Sequence, residues 1–168
     1  MGRVYIGLGA NLGDPRGQIE GALRALSRLP ENRLDAVSRL YRTAPVGPRD
    51  QPDYVNAVAR IETRLTPHEL LLQCQAIESA HGRVRDATRW GPRTLDLDIL
   101  LYDDSTCSEA DLKLPHPEMH RRGFVLVPLA DIAPPTLMIP GQGQLRVLLG
   151  RVSRADIVPL PAALLSNA

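Results

Sequence analysis

The chain has 168 residues, with 20 Lys and Arg against 19 Asp and Glu, so its formal net charge is +1. That balance argues against a dedicated nucleic-acid-binding protein, which carries a large basic excess. There is no apolar run long enough to span a membrane, and the N-terminus MGRVYIGLG lacks a secretory pattern. Cys74 and Cys107 are far apart and outside any zinc spacing, which makes a reduced cytoplasmic protein the expectation. The length suits a single domain over residues 1–168, with a core over about residues 3–135 and a C-terminal extension over 136–168.

Residues 4–9 form an expected apolar strand, and residues 11–14 a turn. Asp14 N-caps a helix with Pro15 at its first position. Ile19, Ala22, Leu23, Leu26 and Leu29 give that helix one apolar stripe, and Pro30 ends it. A second strand is expected over about residues 33–40. Residues 41–53 carry Pro45, Pro48 and Pro52 and suggest a long ordered loop, a common place for ligand binding. A third strand is expected over residues 54–62. Thr66-Pro67-His68-Glu69 is a capping box whose helix runs to about Ala80, with Gly82 as a terminator. Residues 94–102 give a fourth strand.

Strand, helix, strand, strand, helix, strand is the ferredoxin-like signature: an α+β fold with an antiparallel sheet and both helices on one face. Residues 103–168 suggest a loop, a proline-rich turn, a helix near residues 125–132 and an irregular tail covering part of the sheet or its ends. Gly7, Gly9 and Gly13 imitate a dinucleotide fingerprint. Their spacing is GxGxxxG and no acidic residue follows on a second parallel strand, so that function is excluded.

The most informative stretch is GRVRDATRWGPRTLDLDI at residues 82–99. Asp96 and Asp98 alternate with Leu95, Leu97 and Ile99, so both carboxylates leave one face of a strand, roughly 7 Å apart. An Asp-x-Asp alone is more often a solvated face. Arg83, Arg85, Arg89 and Arg93 around a lone Trp90 shift the balance, because guanidinium groups capture phosphate oxygens and magnesium is shared between carboxylates and phosphates. Acid pair and arginine loop together point to a nucleotide polyphosphate held by metal ions. On the preceding helix, Gln75 and Glu78 are three apart and share a face. That face differs from the stripe of Leu70, Cys74 and Ile77. It either looks toward the nucleotide or is simply solvated.

YIGLGANLGD, SRLYRTAPVGPRDQPDYVNAV, GRVRDATRWGPRTLDLDILLYD and LPHPEMHRRGFVLVPLADIAP, in that order, resemble the 6-hydroxymethyl-7,8-dihydropterin pyrophosphokinase family. The resemblance runs over roughly four-fifths of the chain, from about Val4 to Pro134. It implies transfer of the terminal diphosphate of ATP to the pterin hydroxymethyl group, with release of AMP, in folate biosynthesis. It implies that Asp96 and Asp98 bind two magnesium ions and that Arg83 and Arg93 close on the phosphates. Arg85 and Trp90 become further loop contacts, while Arg89 is as well explained as a solvated charge.

The resemblance further implies nucleotide contacts from Gln75, Glu78, Ile99, His116 and Arg122. The pterin pocket would take Tyr54 and Phe124 as a stacking pair, notable in a chain with six aromatic residues. Asn56, Thr43 and the backbone at Val46 would meet the pyrimidine edge. Pro117, Ala44 and Asp111 depart from the family pattern; Lys113, two residues beyond Asp111, is the expected substitute contact for ATP. His68, His81 and His120 are expected on the surface.

The expected chemistry is in-line attack by the pterin hydroxyl on the β-phosphorus, with Asp96 as proton acceptor. ATP and hydroxymethyl-dihydropterin are the expected partners of a monomer, without nucleic acid or membrane. Two rivals of other classes are a ferredoxin-like RNA-binding module and a regulatory domain that binds a nucleotide without turnover. The sheet lacks the aromatic runs that the first requires. AMP release that depends on added pterin separates both rivals from an enzyme.

Overall fold

A computed structural model describes residues 1–44, 52–81 and 95–161. Strand β1 (Gly2–Ala10) buries Val4, Ile6, Leu8 and Ala10 on one face, the period of two that the sequence carries. Helix α1 (Pro15–Arg28) begins where the Asp14 carboxylate accepts the Gly17 N–H at 3.2 Å, and buries Ile19, Ala22, Leu23 and Leu26. Strand β2 (Asn32–Val37) and strand β3 (Tyr41–Thr43) both pair with β4 (Tyr54–Thr63). Helix α2 (Pro67–Ala80) opens on the full capping box: Glu69 N–H donates to Thr66 Oγ1, and Thr66 N–H donates to the Glu69 carboxylate. Strand β5 (Asp96–Tyr102) closes the motif.

The sheet is antiparallel throughout, in the order β10 (Ile157–Pro159), β3, β4, β1, β5, with β2 alongside β4. This is the ferredoxin-like α+β arrangement. Both helices lie on one face, and their stripes meet Val4, Ile6, Leu8, Ala57, Ala59, Ile61, Leu97 and Ile99 in the larger core. The opposite face is half covered. Helix α3 (Gly123–Ile132) packs Val125, Leu126 and Leu129 onto Tyr5, Val58, Leu100 and Leu101.

Three expectations need correction. The second strand does not stop at residue 40; it is broken and then resumes as β3. At the break, Ser38 N–H donates to the Val58 carbonyl and Val58 N–H donates to Ser38 Oγ, so a side chain replaces one rung of the ladder. Thr43 therefore belongs to the sheet rather than to a long loop. Secondly, the tail is not irregular. It contains the hairpin β8 (Met138–Ile139) and β9 (Gly143–Gln144), the short helix α4 (Leu145–Leu149) and β10, and Ile139, Leu145 and Leu148 enter the second core. Thirdly, His81 and His120 are half-buried rather than on the surface, with His81 Nδ1 lying 2.5 Å from Gln18 Oε1. The expected terminator Gly82 lies outside the described residues.

Candidate active site

The half of the sheet face that α3 leaves uncovered is built from three strands in register. On β1, Gly9 stands opposite Asn56 of β4 on one side and Asp96 of β5 on the other. One step along, Gly7 stands between Val58 and Asp98. Side chains on a strand alternate, so Asn56, Asp96 and Asp98 share this face while Leu97 and Ile99 point into the helical layer. The two glycines leave a floor without side chains between amide and acids. A Cβ on Gly9 would lie 2.8 Å from Asn56 Oδ1.

Asn56 is 8% exposed and donates through Nδ2 to Thr43 Oγ1 at 2.7 Å. The bond orients the amide so that Oδ1 hangs over Gly9. Tyr54, half-buried, stands opposite Thr43 across the β3–β4 pair. Asn11, at the end of β1, donates through Nδ2 to the Pro52 carbonyl at 3.0 Å and anchors the approach to this strand. Phe124, in the first turn of α3, lies beneath the Arg122 guanidinium, which stands 5.6 Å from the ring centroid.

His116 follows the short hairpin of β6 (Cys107–Ser108) and β7 (Lys113–Leu114). Its N–H donates to the Leu100 carbonyl at 2.9 Å, and its own carbonyl accepts from Gln142 Nε2 at 2.9 Å. Its Nδ1 accepts the Glu118 N–H at 3.1 Å, which leaves Nε2 as the protonated, donating nitrogen of the neutral ring. Burial lowers its pKa below the usual imidazole value; Asp98 opposes this and Arg122 adds to it. Asp98 and Arg122 thus both act on His116.

Glu78 is placed differently from expectation. It is 4% exposed, on the buried side of α2 with Leu70, Cys74 and Ile77, and Oε2 accepts the Leu97 N–H at 2.8 Å. The physical reason is a donor on the outermost strand that needs an acceptor. Gln75, one turn back, is half-buried on the flank of the helix. Ile99 is 5% exposed, with its side chain in the core; what it turns toward the outer edge of β5 is backbone. Lys113 is exposed and donates through Nζ to the Glu109 carbonyl at 3.1 Å. Asp111, the departure beside it, lies 3.6 Å from His68 Nε2, which also pairs with Glu109. Arg83, Arg85, Arg89, Trp90, Arg93 and Val46 lie outside the described residues.

Sequence reasoning missed Gln142 and Asp131. Gln142 holds the His116 loop from the C-terminal segment, where nothing marks it. Asp131 accepts from Tyr41 Oη at 2.7 Å and from Arg39 N–H at 3.1 Å, which locks α3 to the strand carrying Thr43.

The acid pair offers hard oxygen donors beside a glycine floor, a donor set that suits magnesium shared with a polyphosphate. Fold and site define a ferredoxin-like α+β enzyme of the phosphoryl-transfer kind, with a carboxylate end and an amide-and-aromatic end on one sheet face.

A family model for 7,8-dihydro-6-hydroxymethylpterin-pyrophosphokinase (HPPK) matches residues 5–134, and the chain belongs to that family. It is 53% identical over 161 residues to a 2-amino-4-hydroxy-6-hydroxymethyldihydropteridine pyrophosphokinase of Pseudomonas aeruginosa, covering 96% of this chain and 98% of the relative. To the Haemophilus influenzae protein of the same description it is 54% identical over 130 residues, 77% of this chain and 81% of that one. Among solved structures, an HPPK-DHPS in complex with substrates superposes with a TM-score of 0.71 at 12% identity, over 89% of this chain. Wild-type Plasmodium falciparum HPPK-DHPS with SDX-DHP gives 0.69 at 14% identity, over 90%. This chain spans 43% of each of those two-part proteins. Among the described residues, no helix is long and apolar enough to cross a membrane.

Proposed function

We infer that this chain is an ATP-dependent diphosphotransferase of folate biosynthesis. It moves the terminal diphosphate of ATP to the hydroxymethyl group of 6-hydroxymethyl-7,8-dihydropterin and releases AMP. Family membership supports the reaction. The observation that supports the placement of substrates is the row Asn56, Gly9, Asp96, with Asp98 one step along on the same face.

In this proposal Asn56 and Thr43, with the backbone at Val46, recognise the pyrimidine edge of the pterin, and Tyr54 and Phe124 stack on its rings. Asp96 and Asp98 hold two magnesium ions. When bound, magnesium neutralises the polyphosphate and polarises the reacting phosphorus. His116 donates through Nε2 to the triphosphate, and Arg122 stands between the two substrates. Arg83 and Arg93 bring charge to the transferred diphosphate, while Arg85 and Trp90 cover the site. The adenine rests against the backbone edge at Ile99, with Gln75 and Lys113 toward the nucleotide. Asp96 accepts the hydroxyl proton as the oxygen attacks in line. The enzyme works as a cytoplasmic monomer on two small molecules, without nucleic acid.

The test is AMP release from ATP, with and without added hydroxymethyl-dihydropterin, at saturating magnesium. Pterin-dependent AMP is expected from the wild type, and a loss of at least about a hundredfold in Asp98→Ala, since the metal supplies several kcal/mol of charge stabilisation. Turnover in Asp98→Ala close to the wild type would remove the acid pair from the mechanism. Pterin-independent ATP loss would remove the reaction itself.

A further inference from the structure

We propose that Glu78 is a positioning residue that sets the direction of Asp96 and Asp98 by pinning the outer edge of β5 between them. The inference rests on Asp96 and Asp98 as metal ligands, the assignment made under the proposed function.

β5 is the last strand on its side of the sheet among the described residues. In an antiparallel strand, backbone groups point alternately toward the neighbour and away from it. The N–H of Leu97 is directed outward, and it is the one backbone donor lying between the two acids. Glu78 Oε2 takes it at 2.8 Å from a position nineteen residues earlier, on α2. A buried N–H left without an acceptor would cost about 1–3 kcal/mol, enough to twist the start of an edge strand that pairs, among the described residues, with no strand but β1. Because strand side chains alternate, any rotation of the Leu97 peptide swings the Cα–Cβ bonds of Asp96 and Asp98 together.

Glu78 is also fixed at its other end. It lies in the buried face of α2 beside Cys74 and Ile77, and that face packs on Leu97 and Ile99. The carboxylate is therefore a rigid strut between helix and strand rather than an arm in solvent. The Cys74 thiol, pushed up to about 12 by burial first and then by Glu78 and Asp98, shows that both acids lie within electrostatic reach of one sulfur. Partners that orient the ligands of a metal typically change its affinity by about 10–100-fold when removed.

Two substitutions separate reach from charge. Glu78→Gln keeps an oxygen at the same distance and loses the charge. Glu78→Asp keeps the charge and draws the oxygen back by one methylene. Manganese uptake in the presence of a non-hydrolysable ATP analogue, followed by electron paramagnetic resonance, reads the metal site without turnover. Amide hydrogen exchange at Leu97 in metal-free protein reads the strut itself.

In E78D, Leu97 exchange is expected to quicken and manganese affinity to fall about tenfold or more. E78Q is expected to match the wild type in both within about threefold. Manganese affinity retained in E78D, or lost in E78Q as fully as in E78D, would overturn the proposal. D98A measured alongside distinguishes the two ways of failing. Weak binding in D98A with normal binding in E78D rejects the role of Glu78 alone. Equal binding by wild type and D98A rejects the metal assignment on which it rests.

Discussion

Asn56 and Asp96 meet across a single residue: each is the partner of Gly9, on the two strands that flank β1. In the proposed assignment, the residue that would recognise the pterin and the residue that would hold the cations of the nucleotide are thus separated by a backbone with no side chain. Gly9→Ala would place a methyl 2.8 Å from Asn56 Oδ1, and Asn56 is tied to Thr43 and slow to yield. The expected result is a rise of at least about tenfold in the pterin KM, from about 1–3 kcal/mol of overpacking. Gly7→Ala is the control, because its Cβ would meet Leu100 at an ordinary 3.5 Å. Steady-state kinetics with both variants checks the contrast.

Thr43→Val keeps the volume of the side chain but removes the acceptor of Asn56 Nδ2. An unpaired buried amide costs about 1–3 kcal/mol. Part of that is expected as a lower melting temperature, and part as weaker pterin binding once the amide turns. Isothermal titration with the pterin, beside a melting curve, measures both. ATP affinity is expected to stay within about twofold, because Thr43 lies at the end of the face proposed for the pterin.

His116 gives a pH dependence with a defined sign. Burial holds its folded-state pKa below the ordinary 6.5. Between those two values the unfolded chain carries more protons than the folded one, so stability rises with pH across that window. The contribution is fully present above about pH 6.5 and is lost as pH falls through the folded value. A proton NMR titration of the ring is expected to show a midpoint below 6.5 in the free protein. Bound triphosphate, by favouring the cation, is expected to move it upward. Denaturation of His116→Asn at pH 5 and pH 7.5 is expected to show a smaller pH difference than the wild type.

The cysteines are expected to differ in reactivity. The Cys74 thiol is raised to about 12 by burial and by Glu78 and Asp98, and it is 1% exposed, whereas Cys107 is half-buried on the β6–β7 hairpin. Only thiolate reacts with iodoacetamide. Native protein at pH 8 is expected to be labelled at Cys107 and spared at Cys74, with both labelled in denaturant. Mass spectrometry of the labelled peptides decides it.

What could be read in the chain beforehand followed from local rules. The capping box at Thr66, the cap at Asp14 and the alternation of Asp96 with Leu97 each depend on a few neighbouring residues, and each holds in three dimensions. What escaped depends on distant partners. Three residues are too few to announce β3 as a strand, and its pairing is set by β4 and by the Ser38 hydroxyl. Helical spacing assigns Glu78 to a face turned toward the nucleotide or toward solvent, because it cannot show that an edge strand will need an acceptor nineteen positions later. Gln142 reaches His116 from a segment with no periodicity to place it.

The irregularity at Tyr5 and Ile6, where β5 gains one residue against β1, fixes the registry of the acid-bearing strand. A slip by a single position would send both aspartates into oil and lift Leu97 and Ile99 into water. Misalignment would therefore wreck hydrophobic cohesion and the proposed cation site in one stroke. A molecule that has condensed correctly along this seam has, by the same event, acquired its chemistry.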